Sequence, residues 1–546
     1  MKPQIAFLPE VTDRYLREGW WVNRSLIEYF DAAVARNPDK VAIVAPGDVR
    51  LTYGQTAERV GRIAANLAAR GVGPGQVISI QLPNCAEAVL IHLAASRLGA
   101  VTNPLLPNYR TKELSYILRF ARTAAVFIPK HYRGFEFPEM YAEMRPHLPD
   151  LREVFVVDED VPDGFGRFAD LFQPTAAPPL TVQIGGDDIT ALIFTSGTES
   201  TPKGVMHSHN TALYATLTMA RLLGLTEDDV VWMPSPVGHG TGFLWGIRQA
   251  ITIGGKIVLQ DLWDPEEALR LIERERCTFT LSATPFVSML LEAPSIGKRD
   301  LSSFRYFACA GAPIPRQVGI DAKAKLGCKL IGMWGMSECF VGTASPPTDP
   351  DEKLWGSDGK AMPGGEAAIV DESRSKRLAP GEVGELAVRG PFVAPGYFND
   401  PVRTSETFSS DGWLFTNDLA VMDSEGYIRI VGRKKDIINR GGLKISAREI
   451  EDLLAQAPEI RQAAVVPVPD DRLGERSCAF LVLREGKKLS FDQLTDYLES
   501  HGLAKYKLPE YMVLVDALPM TPSGKIQKFK LAAGFAQGEY RAAGRP

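Results

Sequence analysis

Residues 195–205 read Thr195-Ser-Gly-Thr-Glu-Ser-Thr-Pro-Lys-Gly-Val205, directly after the apolar run Ala191-Leu-Ile-Phe194. A loop this rich in glycine, serine and threonine leaves backbone N–H groups and hydroxyls unpaired, and such donors suit phosphate oxygens. Lys203 adds a cation. The plain alternative is a solvated turn between two strands. A Walker A loop is a further rival, but it needs G-x-x-x-x-G-K-[ST] opening a helix. Here lysine precedes glycine and no helix-forming run follows, so that reading is rejected. His207 and His209 have a period-two spacing that could hold zinc, yet no Cys or Asp accompanies them, and zinc is not expected. His239, inside Pro234-Ser-Pro-Val-Gly-His-Gly-Thr-Gly242, is read as structural rather than as a proton carrier.

Taken with several later segments, the loop resembles the signature of the adenylate-forming superfamily, which comprises acyl-CoA synthetases, peptide-synthetase adenylation domains and luciferases. The pattern T-S-G-[ST]-T-G-x-P-K-G-V is met at Thr195, Ser196, Gly197, Thr198, Pro202, Lys203, Gly204 and Val205. Glu199 and Ser200 depart from it; an acidic side chain facing a triphosphate would be repelled, so Glu199 is expected to face solvent or a cation. Cys309-Ala-Gly-Ala-Pro313 is similar to the G-G-A-P segment, which implies that Gly311, Ala312 and Pro313 border adenine and acyl group. Trp334-Gly-Met-Ser-Glu338 is similar to Y-G-x-[ST]-E. The resemblance implies that Trp334, Gly335 and Ser337 line the nucleotide and that Glu338, with Thr198, holds Mg2+. Tryptophan in place of tyrosine still stacks but reshapes the acyl pocket.

Trp413-Leu-Phe-Thr-Asn-Asp-Leu419 is similar to W-[FY]-x-T-G-D-L, which implies that Asp418 accepts hydrogen bonds from both ribose hydroxyls. Asn417 stands where glycine is usual and fits if its backbone is left-handed. Gly432-Arg-Lys-Lys-Asp436 matches G-R-x-x-D, with Arg433 on the ribose side and Lys435 at the hinge. Gly441-Gly-Leu-Lys-Ile445 matches the adjoining segment, which implies that Gly441, Gly442 and Lys444 approach the pantetheine arm; a plain turn before a helix is the alternative. Pro519-Met-Thr-Pro-Ser-Gly-Lys525 is similar to P-[KR]-T-x-x-G-K, which implies that Lys525 is the general catalytic lysine.

The implied chemistry has two steps. A carboxylate attacks the α-phosphate of ATP and expels pyrophosphate; the thiol of CoA then attacks the acyl-adenylate and releases AMP. Anions crowd together in the first step, so Lys203, Lys525 and the cation near Glu338 are the expected catalytic charges. By family position Val237, His239, Phe243, Gly311, Trp334 and Met336 line the acyl pocket. No lysine or arginine is read into it, which disfavours dicarboxylates. A medium-sized apolar monocarboxylic acid is expected: alicyclic such as cyclohexanecarboxylate, medium-chain or aromatic. The stretch Arg14-Tyr-Leu-Arg-Glu-Gly-Trp-Trp21 also resembles aryl-acid adenylating enzymes that load a carrier protein. A non-catalytic nucleotide sensor and a luciferase-like oxygenase are rivals of other classes.

The elements that must position these residues alternate. Helical spacing marks 25–36, 52–70 and 85–98, and short apolar runs at 41–45, 77–82, 125–128, 154–157, 190–195, 256–260 and 279–282 read as strands. Alternation with short Gly/Pro breaks implies an α/β fold with parallel-rich sheets. After about Gly364 the pattern turns to antiparallel strands with glycine turns, a small β-barrel-like part. Beyond the charged stretch Arg433-Lys-Lys-Asp436 lies a compact α+β unit. The expected division is residues 1–433, a large N-terminal domain, and 434–546, a small mobile C-terminal domain.

The 546 residues carry 61 Lys and Arg against 66 Asp and Glu, a net charge of −5, so no nucleic-acid coat is expected. Hydrophobic residues at 45 % exclude general disorder. No apolar run is long enough to span a bilayer, and the N-terminal one is too short for a signal peptide. The 6 cysteines are scattered without a C-x-x-C pair, as in a reduced cytoplasmic protein. Monomer and homodimer both stay open.

Overall fold

The computed structural model describes residues 7–175, 182–195, 202–311, 314–470, 472–521 and 526–544. Two parallel-rich sheets form its larger part. In the 9-stranded sheet, Lys329–Trp334, Tyr306–Cys309, Phe279–Ser282, Val230–Met233, Lys256–Leu259 and Val41–Ala45 run parallel side by side. In the 7-stranded sheet, Val101–Pro104, Val77–Ile80, Thr123–Pro129 and Glu153–Val157 are parallel, and Ile189–Phe194 joins them. These strands are buried almost throughout, as in parallel sheets covered on both faces.

The helices begin where side chains can satisfy their first N–H groups. Ser25 with Glu28, and Thr52 with Gln55, make capping boxes for Leu26–Arg36 and Tyr53–Ala69. Tyr53–Ala69 then buries Val60, Ile63, Ala64 and Leu67, spaced as one helical stripe. Each such aliphatic side chain contributes about 1.5–3 kcal/mol of burial. Ala86–Arg97 is buried nearly all round, since it lies between the two sheets' layers. No described helix is long and apolar enough to cross a membrane.

The small β part expected after Gly364 is a 4-stranded antiparallel sheet of Glu366–Val370, Gly384–Arg389, Trp413–Met422 and Ile428–Arg433. Lys434–Asp436 forms a single 3-10 turn. After it, Ile437–Arg440 and Leu443–Ser446 make a hairpin whose turn is Gly441-Gly442. The helix Ala447–Leu454 and the long pair Ile460–Asp470 with Gly474–Leu483 follow. The hydrophobic clusters divide at this point. Those built on the large sheets stop at Ile430, and those after the turn start at Ile438. Contacts across the turn are polar: Ser446 Oγ donates to Val431 O, and Arg429 lies 3.6 Å from Asp452.

Candidate active site

Ile189–Phe194 and Gly204–Ser208 pair antiparallel, with Phe194 opposite Gly204. At the end of this pairing Thr195 N donates to Lys203 O at 3.0 Å. A strand and not a helix follows Lys203, which is incompatible with a Walker A loop. Ser196, Gly197 and Thr198 lie outside the described residues, as do Ala312, Pro313 and Lys525. Met520 and Ile526, on either side of the Lys525 segment, form an antiparallel bridge.

Lys203 Nζ lies 5.4 Å from the centre of the Tyr397 ring. The Tyr397 hydroxyl donates to Glu338 Oε1 at 2.7 Å. Both are enclosed: Tyr397 is 1 % exposed and Glu338 5 %. Burial holds the Glu338 carboxyl above the ordinary glutamate range, while the Tyr397 hydroxyl and the Lys203 charge work the other way. Glu338 ends a tight turn in which Cys339 N and Phe340 N both donate to Met336 O.

Trp334, the last residue of Lys329–Trp334, donates from Nε1 to Asp418 Oδ2 at 2.8 Å. The other carboxylate oxygen, Asp418 Oδ1, accepts from Arg433 Nε at 3.2 Å. Asp418 and Arg433 face each other across adjacent strands, Trp413–Met422 and Ile428–Arg433. Two sequence details shape this corner. A Cβ at Gly342 would lie 2.5 Å from the Trp334 indole, so only glycine admits the ring there. Asn417 has φ +59°, the left-handed backbone its replacement of glycine requires, and its N–H donates to Glu385 Oε1 at 3.0 Å. Lys203, Tyr397 and Glu338 thus form one group of contacts, and Trp334, Asp418 and Arg433 a second, although the members of each lie far apart in sequence.

The proposed acyl-contact residues run along one segment. Val237 N donates to Asn84 Oδ1, and Phe243 N donates to His239 O at 2.9 Å. His239 is partly exposed, and its Nδ1 accepts from Thr241 N at 3.2 Å. Its Nε2 therefore carries the proton in the neutral ring. Phe243 is 1 % exposed, edge-on to His92 with ring centres 4.6 Å apart. Gly311, with φ +82°, and the partly buried Met336 complete the set with Trp334.

His207 and His209 are not brought together as ligands. His207 stacks on Phe340 with centres 3.8 Å apart and donates from Nε2 to Ser337 O, whereas His209 Nδ1 accepts from Leu26 N. Burial pushes both down to about 3, so both are neutral at physiological pH. Tyr397 is marked by no motif; its role follows from a contact across 59 positions. Arg248 is likewise unmarked, and it is fully buried one helical turn beyond Phe243.

In the C-terminal part, Gly441 and Gly442 have φ +56° and +89° and turn the hairpin. Lys444, 72 % exposed, has Nζ 4.0 Å from Glu372. Lys434 Nζ reaches the buried Glu385 at 2.8 Å, while Lys435 lies within the 3-10 turn.

Known proteins resemble this arrangement along its whole length. Residues 30–398 match the model of the AMP-binding enzymes, and residues 449–525 match the AMP-binding enzyme C-terminal domain. The medium-chain fatty-acid–CoA ligase of Escherichia coli (strain K12) is 38 % identical over 97 % of this chain and 94 % of its own. The 2,3-dihydroxybenzoate-AMP ligase of Bacillus subtilis (strain 168) is 31 % identical over 96 % of this chain and 98 % of its own. The crystal structure of the anthranilate CoA ligase AuaEII in complex with anthranoyl-AMP is similar with a TM-score of 0.86 and 26 % identity, covering 95 % of this chain and 98 % of that one. With two family models matched in order, the chain belongs to the AMP-binding enzymes, the family of adenylate-forming acid–thiol ligases.

Proposed function

We propose that this enzyme is an AMP-forming carboxylate–CoA ligase acting on a medium-sized, mostly apolar carboxylic acid, of alicyclic, medium-chain or aromatic type. The observation that carries the reading is the pair of contact groups Lys203–Tyr397–Glu338 and Trp334–Asp418–Arg433. In the second, Asp418 is the ribose acceptor. Its two oxygens offer about four lone-pair sites, so ribose hydroxyls bind beside Trp334 and Arg433 without displacing them. Lys203 and Lys525 meet the phosphates, and Lys525 bridges the acid carboxylate and the α-phosphate. Removing one such preorganised charge costs about 10²–10³ in rate. Thr195, Ser196, Gly197, Thr198, Gly335 and Ser337 supply further polar contacts to the nucleotide.

The buried Glu338 carboxylate offers the hard oxygen donor that Mg2+ takes alongside substrate phosphates, and Thr198 offers a hydroxyl. Bound there, Mg2+ supplies charge neutralisation of the phosphates. Apolar Val237 and Phe243 beside the half-open His239 suit a compact carbon skeleton. The E. coli relative's medium-chain acid points the same way.

The chain divides at residue 434, with 1–433 and 434–546 as separate units that rotate on Lys435 between the two steps. The separation of hydrophobic clusters at this point supports that division. Rotation withdraws Lys525 and brings Gly441, Gly442 and Lys444 to the pantetheine arm.

A second reading is transfer to a carrier protein, favoured by the likeness to a 2,3-dihydroxybenzoate-AMP ligase. The test is a panel of carboxylic acids scored by pyrophosphate release, then by thioester formation with CoA or with a phosphopantetheinyl carrier. Robust turnover with CoA supports the first reading; turnover with the carrier alone supports the second.

A further inference from the structure

Arg248 ends the π-helix Thr241–Arg248, the segment that also carries Phe243. In a π-helical turn residues five apart share a face, so Arg248 lies on the Phe243 side of the segment. Its guanidinium carbon lies 6.0 Å from the centre of the Phe243 ring. Arg248 is 0 % exposed. Nη1 donates to Thr190 Oγ1 at 3.2 Å and to His92 Nε2 at 3.4 Å. Nε and Nη2 are buried, and among the described residues neither has a hydrogen-bond partner.

Among the described residues no acid pairs with this charge. Burial is the sole influence on the guanidinium, and it lowers the group only to about 9, so Arg248 is a cation at neutral pH. The titratable groups around it are histidines: His92, His207 and His209, all driven to the neutral form by burial and by Arg248 itself. A buried cation with two unpaired donors is costly, and proteins keep such a group where something completes it. Nε and a terminal nitrogen form the fork that grips an oxygen acceptor, and a carboxylate most strongly.

Building on the ligase reading, we infer that Arg248 is a specificity residue for the acid substrate: its Nε and Nη2 bind an acceptor oxygen carried at the end remote from the reacting carboxylate. That oxygen belongs to a hydroxyl, a carbonyl or a second carboxylate. The preferred acid is then a mostly apolar skeleton with one oxygen function at its far end. Phe243 and the neutral His92 beside the guanidinium add no charge of their own.

The test is ATP–pyrophosphate exchange by the full-length protein with acids paired by length. One member ends in a methyl group and the others in a hydroxyl, keto or carboxylate group. Wild type, Arg248→Met and Arg248→Lys are compared. The wild type is expected to favour one oxygen-ended class over its methyl-ended partner by at least about tenfold in kcat/KM. The class favoured identifies the oxygen. Arg248→Met is expected to lower that ratio at least about tenfold, with Arg248→Lys between the two. A wild type that prefers the methyl-ended acid at every length overturns the inference, as does a ratio equal in wild type and Arg248→Met. Should Arg248→Met not fold, the wild-type ratio and Arg248→Lys decide by the same criteria. Exchange that is independent of Arg248 removes only this inference, whereas exchange with no acid at all removes the ligase reading as well.

Discussion

The hydrogen bond from Trp334 Nε1 to Asp418 Oδ2, 2.8 Å long, ties the indole to the proposed ribose acceptor. Asp418 is 9 % exposed and Trp334 6 %, so water cannot readily replace the donor. Trp334→Phe keeps an aromatic ring but deletes the N–H. A hydrogen bond to a charged group contributes about 1.5–3 kcal/mol, equivalent to roughly 10–150-fold in a binding constant. Some of the loss in Trp334→Phe will come from ring volume. A double-mutant cycle with Asp418→Asn separates the two, because the packing loss is common to both arms. The readout is ATP affinity by titration calorimetry in wild type, Trp334→Phe, Asp418→Asn and the double variant. Each single variant is expected to weaken ATP, and the double variant by less than their sum, with a coupling of about 1.5–3 kcal/mol. Additivity within about 0.5 kcal/mol would mean that the indole does not hold the carboxylate. Unchanged ATP affinity in Asp418→Asn would remove Asp418 from the ribose altogether.

Other perturbations reach other parts of the molecule. Tyr397→Phe leaves the buried Glu338 without its 2.7 Å donor and is expected to raise the Mg2+ concentration for half-maximal adenylation; an unchanged requirement refutes the link. Lys525→Ala is expected to lose adenylation by about 10²–10³ while still making thioester from supplied acyl-adenylate; equal loss in both half-reactions refutes that role. Lys435→Pro fixes the backbone at the proposed pivot and is expected to stop the exchange between steps, which normal turnover would disprove. Glu275, 3 % exposed, accepts from Arg50 and Lys256. Burial raises its carboxyl, but these partners outweigh that and hold it at about 2, below the ordinary 4.5. Its stabilising effect is therefore complete above the unfolded value and is lost as pH falls toward the folded one. Glu275→Gln is expected to cost about 3 kcal/mol in urea unfolding near neutrality, with a gap to wild type that narrows by about pH 3. A gap constant with pH contradicts the ion-pair account.

Local signals were legible where a residue acts through its neighbours in sequence. Ser25 and Thr52 announce their helices by capping side chains three residues on, and the structure starts both helices there. Asn417 can replace glycine because its backbone is left-handed, which the motif alone implied. The strands 41–45, 77–80 and 279–282 follow from apolar runs too short for helices. Tyr397 and Arg248 were hidden for the opposite reason. The first acts on Glu338, and the second on Thr190 and His92, by contacts set only when distant strands assemble. Arg248 in particular sits inside an otherwise apolar segment, where a sequence reading of the pocket from the motif positions alone contains no cation.

The break in apolar packing between Ile430 and Ile438 has a thermodynamic consequence. The proposed turn of one unit against the other leaves each of these hydrophobic clusters intact, so a small heat-capacity change and little dependence on temperature are expected of it. What it exchanges are ion pairs such as Arg429 with Asp452 and Lys444 with Glu372, which are shielded by dissolved electrolyte. The balance between the two orientations is thereby left to the occupants of the cleft and to ionic strength, and neither core needs to be disrupted for the catalytic cycle to advance.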